Sequence, residues 1–325
     1  MNRRKFVLLS GAAALGAYGG LKAQKLKKPP KLSDGPPGKS AVAIIRARSY
    51  SEDLVSKMLE GIKECGLDVR GKRVLLKPNL VEFDPATVIN TNVSVIAAAV
   101  EVFQRLGAAE VAIGEGPGHR RDTLDMADDA RYRELIPRFE SIFTDLNRDD
   151  VSPVAGFAAE PEFYFPHAVL RADLIVSLAK MKTHHWAGAT LSMKNFFGVV
   201  PGSVYGWPKN KLHYLGIPES IVALNRQFGK KAFAIVDGVI GMEGNGPIQG
   251  TPKQAGVLVM GSDLVAVDST CCRVMGIDPE KVSYLRMAAE LGHVHPECIE
   301  QRGEAIAAVR TNFQLTEDFK DLRLS

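Results

Sequence analysis

The chain has 325 residues, 46% of them hydrophobic and 24% charged, enough to bury the core of one large α/β domain or two small ones. Its net charge of +4 is uneven: residues 1–40 hold nine Lys or Arg and one Asp, so this segment carries +8 and the rest about −4. The basic character belongs to the leader. The body has no basic stripe interleaved with aromatics, so no nucleic-acid partner is expected.

The leader, Asn2-Arg3-Arg4-Lys5-Phe6-Val7-Leu8 followed by a short Ala- and Gly-rich apolar stretch, reads as a twin-arginine (Tat) export signal over residues 1–23. The alternatives are a Sec signal or an uncleaved anchor. The stretch is too short and too weakly hydrophobic to make a stable transmembrane anchor. Residues 24–40 are Pro- and Lys-rich and read as a linker, residues 41–315 as one α/β domain, and 316–325 as a C-terminal tail. The expectation is a periplasmic or otherwise exported protein whose partners include the Tat translocation machinery. The four cysteines, Cys65, Cys271, Cys272 and Cys298, form no C-x-x-C, so an iron–sulfur cluster is not expected. Cys271-Cys272 reads as two small hydrophobes in a helix. An oxidising compartment permits a disulfide, but the sequence selects no pair.

Residues 41–47 predict a first strand. Residues 51–65 carry a helical stripe of Leu54, Val55, Met58, Leu59 and Ile62, closed by Gly66. Residues 73–77 form the next strand, ending in Lys77-Pro78-Asn79, and 94–106 a helix closed by Gly107. Residues 110–114 are a third strand opening into Glu115-Gly116-Pro117-Gly118; 121–139 read as an amphipathic helix and 141–146 as a strand. This βαβαβαβ alternation predicts a doubly wound, mostly parallel sheet with helices on both faces. Residues 150–168 read as irregular, with an antiparallel edge piece at 162–167. The apolar run Leu174 to Ala179 reads as a buried central strand that gives way to Lys180-Met181-Lys182-Thr183-His184. In an extended segment Lys180, Lys182 and His184 would share a face. A helix at 220–228, strands at 231–239 and 254–260, a helix starting at Ser262 or Asp263, a helix at 280–291 and a last strand or helix at 305–310 complete the chain.

In open α/β sheets ligands bind beyond the carboxyl ends of the strands, and the unusual polar residues of this chain fall there. Three lysines and a histidine just past a buried strand call for an anion or an acid to meet them. Lys182, His184 and Lys194 are the candidate catalytic residues, for substrate polarisation or proton transfer. Lys77, Asn79, Glu115, Gly116, Lys180, Asn195 and Asn245 are the candidate binding residues for a small anionic ligand, phosphate- or carboxylate-bearing. The glycine-rich turns at 114–118 and 238–250 could aim backbone N–H groups at an anion or be ordinary turns. Asp237, Glu243 and Asp268 could hold a divalent metal. Asp268, in an otherwise apolar helix, could equally be bonded structurally. The His293-Val294-His295-Pro296-Glu297-Cys298 cluster reads as a solvated loop or, less in keeping with its spacing, a metal site. The reading is an enzyme on a small anion or, alternatively, a non-catalytic ligand-binding or redox-accessory protein.

In combination, Lys77 to Asn79, Gly114 to Gly118, Lys180 to His184, Thr190 to Gly198, Asp237 to Pro247 and Gly261 to Asp268 resemble a family known as domain of unknown function 362. The resemblance implies an α/β domain. Many relatives carry a fused ferredoxin-type cluster module with Cys-x-x-Cys runs, and the sequence here holds no such run, so the resemblance implies no iron–sulfur role.

Overall fold

The structure, a computed structural model, describes residue 32, residues 35–118 and residues 121–324. The export-signal reading and most of the linker lie outside the described residues. Leu32–Ser325 form one compact unit, and among the described residues no helix is long and apolar enough to cross a membrane.

Eleven strands fall in chain order among the described residues: β1 (Ser40–Arg46), β2 (Arg73–Pro78), β3 (Glu110–Glu115), β4 (Phe143–Asp145), β5 (Val151–Ala155), β6 (Glu162–Pro166), β7 (Leu174–His184), β8 (Gly188–Thr190), β9 (Ala232–Glu243), β10 (Thr251–Gly261) and β11 (Ile299–Gly303). Nine of them make one sheet in the order β11-β1-β10-β9-β7-β2-β3-β4, with β8 paired to β7. Five pairs are parallel. The sheet is therefore mostly parallel, as expected, with β10 reversed between β1 and β9. The reversal follows from chain length. Only residues 244–250 join β9 to β10, too few for the crossover a parallel pair needs.

Helices cover both faces. On one, α1 (Leu54–Glu64) and α2 (Val93–Arg105) bury Met58, Ile62, Ile96 and Phe103 against Leu76, Val176 and Ile235. Both have side-chain N-caps, Asp53 to the N–H of Ser56 and Asn92 to that of Ser94. On the other, α4 (Ile217–Phe228) and α5 (Leu264–Val274) pack with Ile175, Val236 and Val259. Asp263 caps α5 through the N–H of Ala266. The expected long helix at 121–139 is broken into α3 (Thr123–Asp129) and two single turns, with Arg131 and Arg138 at positive φ between them. Residues 150–168 contain a hairpin, β5–β6, that forms its own two-stranded sheet rather than an edge of the main one.

Two differences bear on the site. Strand β7 does not stop at the lysines but continues through His184, because Gly188–Thr190 turns back and pairs with it. The residues of 316–324 are packed, with Leu322 buried and both it and Phe319 against Gly188.

Candidate functional site

Strands β2, β3, β7 and β9 present three lysines and two acids towards their carboxyl ends, and the surrounding bonds sort them into two closed pairs and a remainder. Lys77 donates to Glu115 at 2.7 Å, to the Pro78 carbonyl at 2.6 Å and to Asn195 Oδ1 at 3.1 Å. Glu115 also accepts from the N–H groups of Leu80 at 3.0 Å and Gly116 at 2.8 Å. Both charged side chains are 1% exposed. Gly198 must lack a side chain, since a Cβ there would run into Glu115 and Lys77. The second pair is Lys180 with Asp237 at 2.9 Å. The Tyr50 hydroxyl donates to Asp237 at 3.0 Å, and the N–H groups of Asn92 and Val239 donate at 3.0 and 3.2 Å. Burial, then the Asp237 charge, pushes the Tyr50 hydroxyl far above its ordinary range. Lys77 and Lys180, expected to grip an anion, already have carboxylate partners.

Lys182 has none. It projects to the same face of β7 as Lys180, as alternation predicted, and donates to Asn79 Oδ1 at 2.7 Å, the Ile89 carbonyl at 2.9 Å and the Pro247 carbonyl at 3.3 Å. Desolvation, with Lys194 and Lys180 nearby, holds its pKa well below the usual lysine value. Asn79 reaches Asn195 Oδ1 at 3.3 Å, so Lys182, Asn79, Asn195, Lys77 and Glu115 form one buried polar chain. Thr190 sits directly opposite Lys182 in the β7–β8 pair, and directly opposed residues share a face. Its hydroxyl is buried without a partner. Thr190 opens the 190–198 motif but is not among the candidate site residues; its placement depends on the β8 turn, which periodicity over three residues cannot show.

Lys194 follows in the turn after β8. It is partly exposed, and its ammonium lies 4.6 Å from the centre of the Phe197 ring. No hydrogen bond or ion pair reaches it among the described residues, and desolvation lowers its pKa to about 8. His184 is 4% exposed. Its Nδ1 accepts from the N–H groups of Trp186 at 2.9 Å and Ala187 at 3.2 Å. Burial, then the charge of Lys194, keeps it well below the ordinary imidazole range. His185, the exposed Trp186 and His213 continue the cluster, with ring centres 4.6 and 6.1 Å from that of Trp186. A further buried lysine, Lys209, was not anticipated. It donates to Asn147 and to the Val200 carbonyl, and desolvation takes it to about 7.

The three acids expected to form a metal site are not brought together. Asp237 shares a face of β9 with Phe233 and Ile235, while Asp268 lies on α5, among the core of the opposite face. Glu243 accepts from the Gln314 N–H at 2.9 Å and faces Lys253 at 3.6 Å. No group of three or more His, Cys, Asp or Glu is placed to hold a metal among the described residues. Asp268 instead fastens the turn that carries Lys194. It accepts from Ser192 N–H at 2.8 Å, Ser192 Oγ at 2.5 Å, Met193 N–H at 3.2 Å and Tyr284 at 3.1 Å. Burial raises it to about 7.

The glycine turns do not offer an N–H cradle. Gly116 gives its N–H to Glu115, while Gly244, Gly246 and Pro247 turn carbonyls towards Thr183, His185 and Lys182. Asn245 is exposed and bonded to Gln249 at 2.9 Å. His293, expected in a solvated loop, is buried against Ser40, Asp263 and the Pro36 carbonyl. Grooves of about 660 and 800 Å³ lie between α1 and α2 and beside the start of α5, neither lined by Lys182, His184, Thr190 or Lys194.

Among known proteins, the chain is 27% identical over 267 residues to a thylakoid-associated protein of Synechocystis sp., covering 78% of this chain and 79% of that one. The lactate racemase apoprotein of Thermoanaerobacterium thermosaccharolyticum superposes with a TM-score of 0.46 at 14% identity, over 75% of this chain and 59% of that one. A protein from Thermotoga maritima gives 0.41 at 17% identity, over 73% and 58%. The chain thus spans less than two thirds of either solved structure. The sequence model of one family matches residues 74–273, which hold every candidate residue named above. This chain belongs to the domain of unknown function 362 family.

Proposed function

We propose that this protein is an enzyme that binds a small phosphate- or carboxylate-bearing substrate at the carboxyl edge of the sheet and acts on it by proton transfer. The observation that carries the reading is a concentration of partnerless polar groups around Lys182: the Lys194 ammonium, the Thr190 hydroxyl and the His184 Nε2, none of them bonded to a carboxylate. Lys182 likewise has no acid partner, whereas Lys77 and Lys180 at the same strand ends each have one. Cations held in a desolvated place without counter-charge depress one another's pKa, and an anion there would relieve all of them together. Lys194, at about 8, is also poised to exchange a proton near neutrality.

The test is a thermal-shift titration of the full chain with inorganic phosphate and with oxalate, using wild type, Lys194→Met and Thr190→Val. Stabilisation that rises with concentration in wild type and is lost in Lys194→Met is the expected result. No shift in wild type, or equal shifts in all three, refutes the assignment. A site of action outside the cytoplasm is proposed from the Arg3-Arg4 leader alone; an Arg3→Lys, Arg4→Lys chain that still reaches the exported fraction would remove that support.

A further inference from the structure

We infer that the backbone fixes the adjacent imidazoles of His184 and His185 as a donor–acceptor pair, so that His185 is the general base of the proposed site and His184 polarises the oxygen that gains charge. The inference rests on the reading of the site given above. His184 Nδ1 lies 2.9 and 3.2 Å from the N–H groups of Trp186 and Ala187, which can only donate. That nitrogen is therefore bare, and the neutral ring carries its hydrogen on Nε2. Adding a proton at Nδ1 would break both bonds, in a place already crowded by Lys194, His185, Lys182 and His213. His185 is the reverse case. Its Nδ1 lies 2.7 Å from the Gly246 carbonyl, which can only accept, so Nδ1 holds the hydrogen and the neutral ring leaves Nε2 bare. The carbonyl is fixed in turn, since the His185 N–H donates to it at 3.0 Å and any side chain on Gly246 would strike the Thr183 carbonyl. The two ring centres are 5.0 Å apart.

The pair suits a small carboxylate or phosphate ester with a carbonyl next to the carbon that loses a proton. The His185 Nε2 lone pair takes that proton, and the C–H bonding electrons move into the substrate as an enolate. His184 Nε2–H donates to the enolate oxygen, while the imidazolium of His185 keeps its bond to Gly246. Return of the proton reverses the step, with no oxidant or reductant.

The full chain labelled with ¹⁵N-histidine, its ring signals assigned through His184→Gln and His185→Gln, tests this in two arms. Two-bond ¹H–¹⁵N spectra at neutral pH should show His184 as the uncharged Nε2–H ring and His185 in its neutral form as the Nδ1–H ring. Hydrogen on His184 Nδ1, or a neutral His185 with hydrogen on Nε2, overturns the inference whatever the site binds. Deuterium exchange from solvent into dihydroxyacetone phosphate and pyruvate should be catalysed by wild type and fall at least about tenfold in His185→Gln, with phosphate binding retained. Phosphate binding and the expected rings without exchange overturn the general-base role, while the expected rings with no anion bound by wild type overturn the reading of the site instead.

Discussion

Replacing Lys77 by Met tests the claim that this lysine belongs to a closed pair rather than to an anion site. Lys77 and Glu115 are each 1% exposed and 2.7 Å apart. Removing the ammonium leaves a buried carboxylate served by two backbone N–H groups, from Leu80 and Gly116. Breaking a buried pair by removing one partner typically costs about 3–5 kcal/mol. That is a large share of the roughly 5–15 kcal/mol that holds a domain folded, and at about 2–4 °C per kcal/mol it lowers the melting temperature by some 10 °C. Lys77→Met, Glu115→Gln removes both charges and should recover more than half of the loss. Urea denaturation of the two single variants and the double variant at about pH 5 and 8 gives the coupling directly. Additive effects, or a Lys77→Met loss below about 1 kcal/mol at both pH values, would show that the pair is not a structural unit.

Lys194→Met removes a desolvated ammonium that has no hydrogen bond or ion pair among the described residues and keeps an apolar side chain beside Phe197, so the unliganded protein should be as stable as wild type or more so; a drop in the urea midpoint would mean that the ammonium has a structural partner. Asp268→Ala strands the N–H groups of Ser192 and Met193 and the Tyr284 hydroxyl, and should cost about 3–4 kcal/mol by urea titration, whereas a loss under about 1 kcal/mol would mean that the turn is held elsewhere. Stability should also vary with pH in two limbs. The folded Asp268 carboxyl, raised from 3.8 to about 7, binds a proton that the unfolded chain releases, so its contribution falls as pH rises across that window. Lys194 and Lys209, lowered from 10.5 to about 8 and about 7, bind fewer protons folded than unfolded, so stability rises with pH above them. Urea midpoints from pH 5 to 10 should show an upper limb that flattens in Lys194→Met and Lys209→Met, and an unchanged limb in both variants would contradict the sign.

Much of the scaffold is legible from local pattern. The 3.6-residue stripe of Leu54, Met58 and Ile62 is a short-range fact, and α1 forms on it, beginning at Leu54 after the Asp53 cap rather than at residue 51. The same holds for α2 and for the capping role of Asp263. Alternation alone also put Lys180 and Lys182 on one face of β7. Short or broken elements escaped. Three-residue β8 has too few positions to show a period, and the span 121–139 looks helical in composition but is interrupted at Arg131 and Arg138.

The candidate residues could be named because lysines, histidines and acids clustered at strand ends are chemically unusual wherever the strands lie. Their roles could not, because a role depends on partners far away in the chain. Lys77 meets Glu115 across 38 positions, Lys180 meets Asp237 across 57, and Asp268 meets Ser192 across 76. Lys182 differs from Lys180 by two residues and projects to the same face, yet register gives Lys180 a carboxylate and leaves Lys182 with an amide and two carbonyls. The chain by itself determined which residue types reach the carboxyl edge, since alternation and strand length are local. Tertiary structure decided which of those charges are already cancelled and which still need a partner, because that turns on contacts between strands that no local pattern encodes.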